Sequence, residues 1–277
     1  TPSPADHASA AVRPTPSSRS MKLRLAVLAL LAALVLPFAG WATRPAVAAE
    51  ALTAQQKTAV EGLIRSYLLE HPELLEEVMA ALEKKRADEA ALARNQIISE
   101  KAGILFNSAR QVVLGNPKGD VTVVEFFDYR CGYCKRAHSD MAALLKEDGK
   151  IRFVLKEFPV LGPASKEAAR VAVAVSRIAP EKYADFHQKL LLGRGEANLA
   201  RATEVALAIG IDKARLETEM GSPEIEATLD ESYALANGLG LTGTPSYVIG
   251  NTVVPGAVGY DQLKQLVSQA RCGTTTC

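Results

Sequence analysis

The sequence predicts an α/β protein whose sheet is interrupted by an all-helical insertion and preceded by a helical segment. Two observations carry this prediction. A strand–helix–strand pattern occupies residues 121–158, and a strand–strand–helix pattern occupies residues 246–270. Between them, at about 163–240, only helical patterns follow one another. Because a helix that crosses between two strands makes those strands parallel neighbours, the two halves are expected to build one sheet.

The start of the chain has the features of an export signal. Residues 1–20 lack a periodic apolar pattern and are predicted to be disordered, with translation beginning at Met21. Residues 21–48 combine a basic start, an apolar run and small residues that end in Ala-Val-Ala, as cleaved signal peptides do. We therefore expect a periplasmic protein, an uncleaved membrane anchor being the alternative.

Composition excludes several classes of protein. The formal net charge is +1, which gives no support for a nucleic-acid partner. Residues 1–48 carry five basic residues and one acidic residue, so their loss would turn the net charge to about −3. Four cysteines are too few for a disulfide scaffold at this length. Charged residues at 23% and aromatic residues at 5% are ordinary for a folded chain.

Residues 49–108 are predicted to form an N-terminal helical domain. Thr53 and Gln56 make a capping box, and Pro72 is well placed in the first turn of a second helix. Both helices carry one apolar stripe, made of Val60, Leu63, Ile64, Tyr67 and Leu68, then Leu75, Val78, Met79 and Leu82. Two such helices cannot bury their stripes alone, so residues 50–108 either join copies into a homo-oligomer or clasp their own chain.

The remaining residues, 109–277, hold the predicted sheet. Residues 121–127 are apolar on both faces except at Glu125, as in a central buried strand. A helix from about Cys131 to Leu145 and a strand from Ile151 to Phe158 complete the first half. The second half contains the strands 246–249 and 252–254, the turn Gly250-Asn251 and a helix over 261–270.

The residues that carry chemistry are Cys131-Gly132-Tyr133-Cys134, which follow the buried strand and open a helix. Free N–H groups at a helix N-terminus favour a thiolate there and lower its pKa. Cys131 is therefore predicted to be the nucleophile and Cys134, one turn further in, the resolving thiol.

Two cysteines at this spacing can also bind a metal or form a structural disulfide. A zinc site needs a second pair, and Cys272 and Cys277 are poorly placed to supply it, so no metal site is predicted. A purely structural disulfide is a further alternative. Copper(I) binding without redox turnover is chemically reasonable for two thiols and stays open as a more distant alternative.

Three motifs resemble the DsbA family of bacterial exported thiol-disulfide oxidoreductases, which are thioredoxin-like with a helical insertion. They are Phe126-Phe127-Asp128-Tyr129-Arg130-Cys131-Gly132-Tyr133-Cys134-Lys135, Lys156-Glu157-Phe158-Pro159 and Gly243-Thr244-Pro245-Ser246. The resemblance covers residues 109–271. The N-terminal part, especially residues 67–82, is similar to the leading domain of suppressor-of-copper-sensitivity protein C, whose subgroup can oligomerise through this segment.

The resemblance implies roles for further residues. Pro245 should follow a cis peptide bond and lie against the two sulfurs, with Thr244 offering backbone hydrogen bonds to an extended substrate. Gly132 and Tyr133 complete the expected substrate-binding set. The cysteine pair carries the electrons itself, so no cofactor is expected. Expected partners are exported proteins that contain cysteine and a membrane thiol-disulfide redox protein.

Glu125 is the one acid in an apolar strand, six residues before Cys131. If it is buried, its pKa should rise, and it could exchange a proton with Cys134. Family members carry an acid there, and Lys156 on the neighbouring strand is a candidate partner for it. The alternative is a solvent-facing position at a strand end.

The other candidate residues have weaker interpretations. His138 and His187 are interpreted as surface residues. Cys272 and Cys277 form either a small disulfide or free thiols.

The sequence indicates thiol-disulfide exchange more clearly than it indicates whether the protein oxidises, reduces or isomerises its substrates. The dipeptide Gly132-Tyr133 and Thr244 before the proline resemble those of oligomeric exported isomerases. We therefore favour a disulfide isomerase or reductase, with a DsbA-type dithiol oxidase as the alternative.

Overall fold

The computed structural model describes residues 52–277, so the predicted disordered start and export signal lie outside the described residues. The chain divides into two compact units between Leu75 and Glu76. Residues 76–108, which the sequence assigns to the leading domain, fall in the second unit. Within residues 52–277, no helix is long and apolar enough to cross a membrane.

The first unit is described from residue 52 to residue 75 and consists mainly of helix α1 (Ala54–Glu70). The predicted capping box is confirmed. The Gln56 N–H donates to Thr53 Oγ1 at 3.3 Å, and the Thr53 N–H donates to Gln56 Oε1 at 2.9 Å. No residue of α1 is buried. Helix α2 (Glu73–Glu100) begins just after Pro72, as predicted.

The apolar stripe of these two helices remains exposed to solvent. Leu63 has 68% of its surface exposed, and Val78 has 62%. The other exposed members are Val60, Ile64, Tyr67, Leu68, Leu75, Met79 and Leu82. We call these nine residues the leading stripe.

The second unit is built on a five-stranded mixed sheet. The strand order is β1-β3-β2-β4-β5, with β2 parallel to β3 and the other neighbours antiparallel. The strands are β1 (Val112–Gly115), β2 (Val121–Phe127), β3 (Ile151–Glu157), β4 (Ser246–Ile249) and β5 (Thr252–Pro255). The predicted strand–helix–strand and strand–strand–helix halves are confirmed. Strand β1 was not predicted, because its four residues show no clear periodicity.

Helices cover both faces of this sheet. Ile98 near the end of α2, Leu105 and the end of the predicted all-helical insertion are buried with Val124, Phe126 and Val154 on one face. The opposite face packs against the helix that follows Cys131 and against the rest of the insertion, which is confirmed. The helices of the second unit after α2 are α3 (Ala102–Asn107), α4 (Gly132–Glu147), α5 (Pro163–Ile178), α6 (Tyr183–Leu192), α7 (Leu199–Ala208), α8 (Lys213–Met220), α9 (Pro223–Gly238) and α10 (Tyr260–Cys272).

Candidate active site

A short turn joins the central strand to the helix that carries the dithiol. Asp128, with only 1% of its surface exposed, holds this turn together. Its Oδ1 accepts a hydrogen bond from the Arg130 N–H at 2.8 Å, and its Oδ2 accepts one from the Leu161 N–H at 3.0 Å. The Cys131 N–H donates to the Asp128 carbonyl at 3.1 Å. Asp128 therefore fixes where the first cysteine lies.

The two cysteines differ in their surroundings. Cys131 is the N-cap of α4, and Cys134 lies one turn inside the helix, almost fully buried. A hydrogen bond from the Cys134 thiol, with others from Thr244 and from the backbone N–H groups of Tyr133 and Cys134, lowers the pKa of Cys131 to about 5. The same hydrogen bond, burial and the nearby Glu125 raise the pKa of Cys134 far above its ordinary value. Such a pair ionises at one sulfur only.

The loop before β4 faces Cys131. The peptide bond between Thr244 and Pro245 is cis, and the Thr244 carbonyl oxygen lies 3.1 Å from Cys131 Sγ. The Gly256 N–H donates to the Pro245 carbonyl at 2.8 Å, which ties this loop to the end of β5. Residues from two distant parts of the chain thus meet at one sulfur.

Tyr133, between the cysteines, is exposed and carries the Arg136 guanidinium 4.2 Å from its ring centre. Gly132 is exposed as well, so both residues of the dipeptide face solvent beside the nucleophile. His138 is half-buried on the same helix rather than on the surface, and its ring stacks on that of His187.

Glu125 is buried beneath the dithiol, with 4% of its surface exposed. Desolvation, together with the charges of Cys131 and Asp140, raises its pKa to about 8. A solvent-facing Glu125 at a strand end is therefore excluded. A carboxyl group with this pKa exchanges its proton near neutral pH.

The expected pairing of Lys156 with Glu125 is wrong. In the parallel register Glu125 lies beside Leu155, while Lys156 lies beside Phe126. Since successive side chains of a strand point to opposite faces, this offset of one residue puts the two charges on different sides of the sheet. The Lys156 amine instead donates to the Ile104 carbonyl at 2.7 Å and to Glu231 at 3.4 Å.

Sequence reasoning missed a buried polar network next to the site. The Tyr183 hydroxyl donates to Glu157 at 2.9 Å, and the Tyr129 hydroxyl lies 3.2 Å from that of Tyr183 and 3.1 Å from His187 Nδ1. Burial raises the pKa of Glu157 and lowers that of His187 to about 3. The surface interpretation of His187 is therefore wrong. The helical spacing of Tyr183, Phe186 and His187 already puts the histidine on the apolar face.

Cys272 and Cys277 form a disulfide at the end of α10, which settles the alternative left open for them. Within residues 52–277, no group of three or more His, Cys, Asp or Glu side chains is arranged to hold a metal ion.

A dithiol at the N-terminus of a helix, beside a cis-proline loop and on a mixed sheet covered by helices, defines a thiol-disulfide oxidoreductase of the thioredoxin fold. Two protein-family models match this chain and identify the family within that class. The chain belongs to the family of DSBA-like thioredoxin domains, whose family model matches residues 122–268. A second family model, the N-terminal domain of the copper resistance protein ScsC, matches residues 56–89. The predicted DsbA-family membership and the predicted resemblance of the N-terminal part to ScsC are both confirmed.

Individual relatives agree with this assignment. A thioredoxin-like oxidoreductase from Silicibacter pomeroyi DSS-3 is 44% identical, with 61% of this chain and 96% of that chain covered and a TM-score of 0.59. ScsC from Proteus mirabilis in a transitional conformation is 29% identical, covers 81% of this chain and 99% of its own, and gives a TM-score of 0.60. Disulfide bond formation protein D of Bacillus subtilis (strain 168) is 27% identical over 172 residues, which are 57% of this chain and 76% of that protein.

Proposed function

We propose that this oxidoreductase exchanges thiols and disulfides on exported, cysteine-containing proteins in the periplasm, and that it acts there mainly as a disulfide isomerase or reductase. The observation that carries the chemistry is the placement of the two cysteines: Cys131 caps helix α4 beside the Thr244 carbonyl oxygen, and Cys134 is almost fully buried one turn inside the helix. This placement moves the two pKa values apart, down to about 5 for Cys131 and upward for Cys134. At neutral pH, Cys131 is a thiolate and Cys134 a thiol.

The electrons and protons balance within the cysteine pair. The Cys131 thiolate attacks one sulfur of a client disulfide, a mixed disulfide forms, and the other client sulfur leaves as a thiolate. In reduction, Cys134 then loses its proton and attacks Cys131 Sγ, which releases the second client sulfur and leaves the Cys131–Cys134 disulfide. In isomerisation, a client thiolate attacks the mixed disulfide instead, and Cys131 is released unchanged.

Glu125 is the proton acceptor that we assign to the second step. Its burial beneath the dithiol and its pKa of about 8 support this role, because the group exchanges its proton in the pH range in which exchange occurs. The client chain is held in extended form by Thr244 and Pro245, with Gly132 and Tyr133 on the other side of the sulfur.

The preference for isomerisation rests on the Gly132-Tyr133 dipeptide, on Thr244 and on the exposed leading stripe. If residues 50–108 join copies of the chain, several dithiols face a shared space, which suits a client with more than one wrong disulfide. A membrane thiol-disulfide redox protein would then keep the pair reduced. Sedimentation velocity of the full chain and of the Leu63→Asp variant tests the assembly. We expect an oligomer that the charge within the stripe dissociates.

Two assays test whether the chain catalyses thiol-disulfide exchange. We expect the reduced chain to catalyse insulin reduction and the refolding of scrambled ribonuclease, and the Cys131→Ser variant to lose both activities. The double variant Cys272→Ser, Cys277→Ser, which removes the terminal disulfide, is the matched control and should keep both activities. Activity that survives Cys131→Ser would refute the proposal.

Thiol trapping in cells decides between isomerase and oxidase. A mostly reduced Cys131 supports an isomerase or reductase, and a mostly oxidised Cys131 supports a DsbA-type oxidase instead. Stoichiometric copper(I) binding by the two thiols, with no activity in either assay, would favour the metal-binding alternative.

A further inference from the structure

A groove of about 400 Å³ runs beside the cis-proline loop. The loop residues 240–246 form most of its wall, and Val253, Pro255 and Gly256 at the end of β5 form another part. Thr244 belongs to this wall, and its carbonyl oxygen lies 3.1 Å from Cys131 Sγ. The groove therefore adjoins the nucleophile, and a client chain that is bound at Cys131 and runs along Thr244 can extend into it.

The remaining wall comes from helix α2, which contributes Arg94. Ile97 and Ile98 hold this part of the helix in place, because both pack in the apolar cluster that also contains Leu235 and Leu239 of the segment leading into the loop. Arg94 precedes them by three and four residues, so it lies on the same face of the helix. One apolar cluster thus fixes the helix that carries Arg94 relative to the cis-proline loop.

Arg94 is the only charged side chain among the described residues that line the groove. The ion pairs within α2 join Lys84 to Asp88 and Lys85 to Glu89. Arg94 has no carboxylate of residues 52–277 within salt-bridge distance. Arg94 is half-buried, has no internal ion-pair partner and lines a groove that is otherwise neutral, so its guanidinium favours a carboxylate on whatever occupies that groove.

We propose that Arg94 is a specificity-determining residue that binds an acidic side chain of the client, a few residues to one side of its reactive cysteine. The inference rests on the proposed function, since the occupant of the groove is the extended client segment held at Cys131. The leading helical segment would then take part in substrate selection as well as in any assembly of copies.

The test uses the reduced full chain and a set of peptides that each contain one cysteine, present as a mixed disulfide with the neutral thiol 2-mercaptoethanol. Glu, Gln or Lys is placed in turn at each neighbouring position, and the second-order rate constant for attack by Cys131 is measured. We expect Glu to react roughly threefold to tenfold faster than Gln at one or two positions on a single side of the cysteine. The preference should shrink at high salt.

Variants locate the cause. Arg94→Gln should abolish the preference for Glu, and Arg94→Glu should transfer it to Lys. Arg86→Gln, an exposed position on the same helix, should leave the preference unchanged. All three variants should attack bis(2-hydroxyethyl) disulfide, a small neutral substrate, at the rate of the unaltered chain.

Equal rates for Glu and Gln peptides in the unaltered chain, or a preference that survives Arg94→Gln, would overturn the inference and leave the proposed function intact. Failure of the unaltered chain to attack even the small neutral disulfide would overturn the proposed function, and the inference with it.

Discussion

Glu125→Gln should make the protein more stable and less active, and the gain in stability should depend on pH. Burial raises the pKa of Glu125 from 4.5 to about 8. Between these values the folded state holds a proton that the unfolded state has lost, so stability falls as pH rises through that window. At 1.36 kcal/mol per unit, the cost reaches about 3 kcal/mol at pH 7 and about 5 kcal/mol above pH 8.

A neutral glutamine mimics the protonated carboxyl group and carries no such cost. Urea unfolding, followed by circular dichroism under reducing conditions, should therefore show equal stabilities near pH 4.5. The variant should gain about 3 kcal/mol over the unaltered chain at pH 7. Glu76→Gln, an exposed position on α2, is the control and should change stability by less than about 0.5 kcal/mol at every pH.

The same substitution should slow the second chemical step, since no carboxylate remains to take the Cys134 proton. Stopped-flow exchange between pH 6 and 9 should show slower resolution of the mixed disulfide, with the initial attack by Cys131 preserved. A stability difference that does not vary with pH would refute the burial argument. Unchanged rates across this range would refute the proton-transfer role.

Three further changes test separate contacts of the site. Cys134→Ala removes the largest cause of the low Cys131 pKa, so the midpoint of the pH dependence of Cys131 alkylation should rise from about 5 toward that of an ordinary thiol. Lys156→Met removes a buried amine that donates to the Ile104 carbonyl and to Glu231. Since Glu231 keeps Arg110 as a partner at 3.4 Å, the change should cost roughly 1–3 kcal/mol in urea unfolding, with no change in the pH profile of exchange. Tyr183→Phe removes the donor to Glu157, whose other carboxylate oxygen already has no partner, and should cost roughly 1–3 kcal/mol.

Exposed positions of the same residue types are the controls. Lys84→Met and Tyr67→Phe should each change the free energy of unfolding by less than about 0.5 kcal/mol. An unchanged Cys131 midpoint in Cys134→Ala would show that the helix terminus alone lowers the pKa. A shifted pH profile in Lys156→Met would show that this lysine acts on the dithiol from the other face of the sheet.

Local sequence signals predicted most of the elements that position the site. The capping box at Thr53 and Gln56 and the apolar strand at residues 121–127 each depend on neighbours within a few residues. The place of Cys131 at the start of a helix is equally local, and it already indicates which sulfur attacks. Such features can be predicted because their physical causes lie within one turn of helix or one strand.

Distant contacts could not be predicted in this way. Which carboxylate Lys156 meets depends on the register of strands β2 and β3. A register error of one residue moves the lysine side chain to the opposite face of the sheet. The meeting of Thr244 with Cys131, 113 residues away, was expected only from the family resemblance.

The sequence by itself determined the reactive pair and most of the order of the elements, because these follow from local patterns of apolar, capping and cysteine residues. The class of protein was indicated by the resemblance of its motifs to a known family. Only the tertiary structure decided that Glu125 is buried, that Lys156 faces away from it and that His187 belongs to a buried network. It also decided that Arg94 of helix α2 lines the groove beside the cis-proline loop. Each of these depends on how elements far apart in the chain exclude water together, and solvent exclusion is a property of the packed molecule.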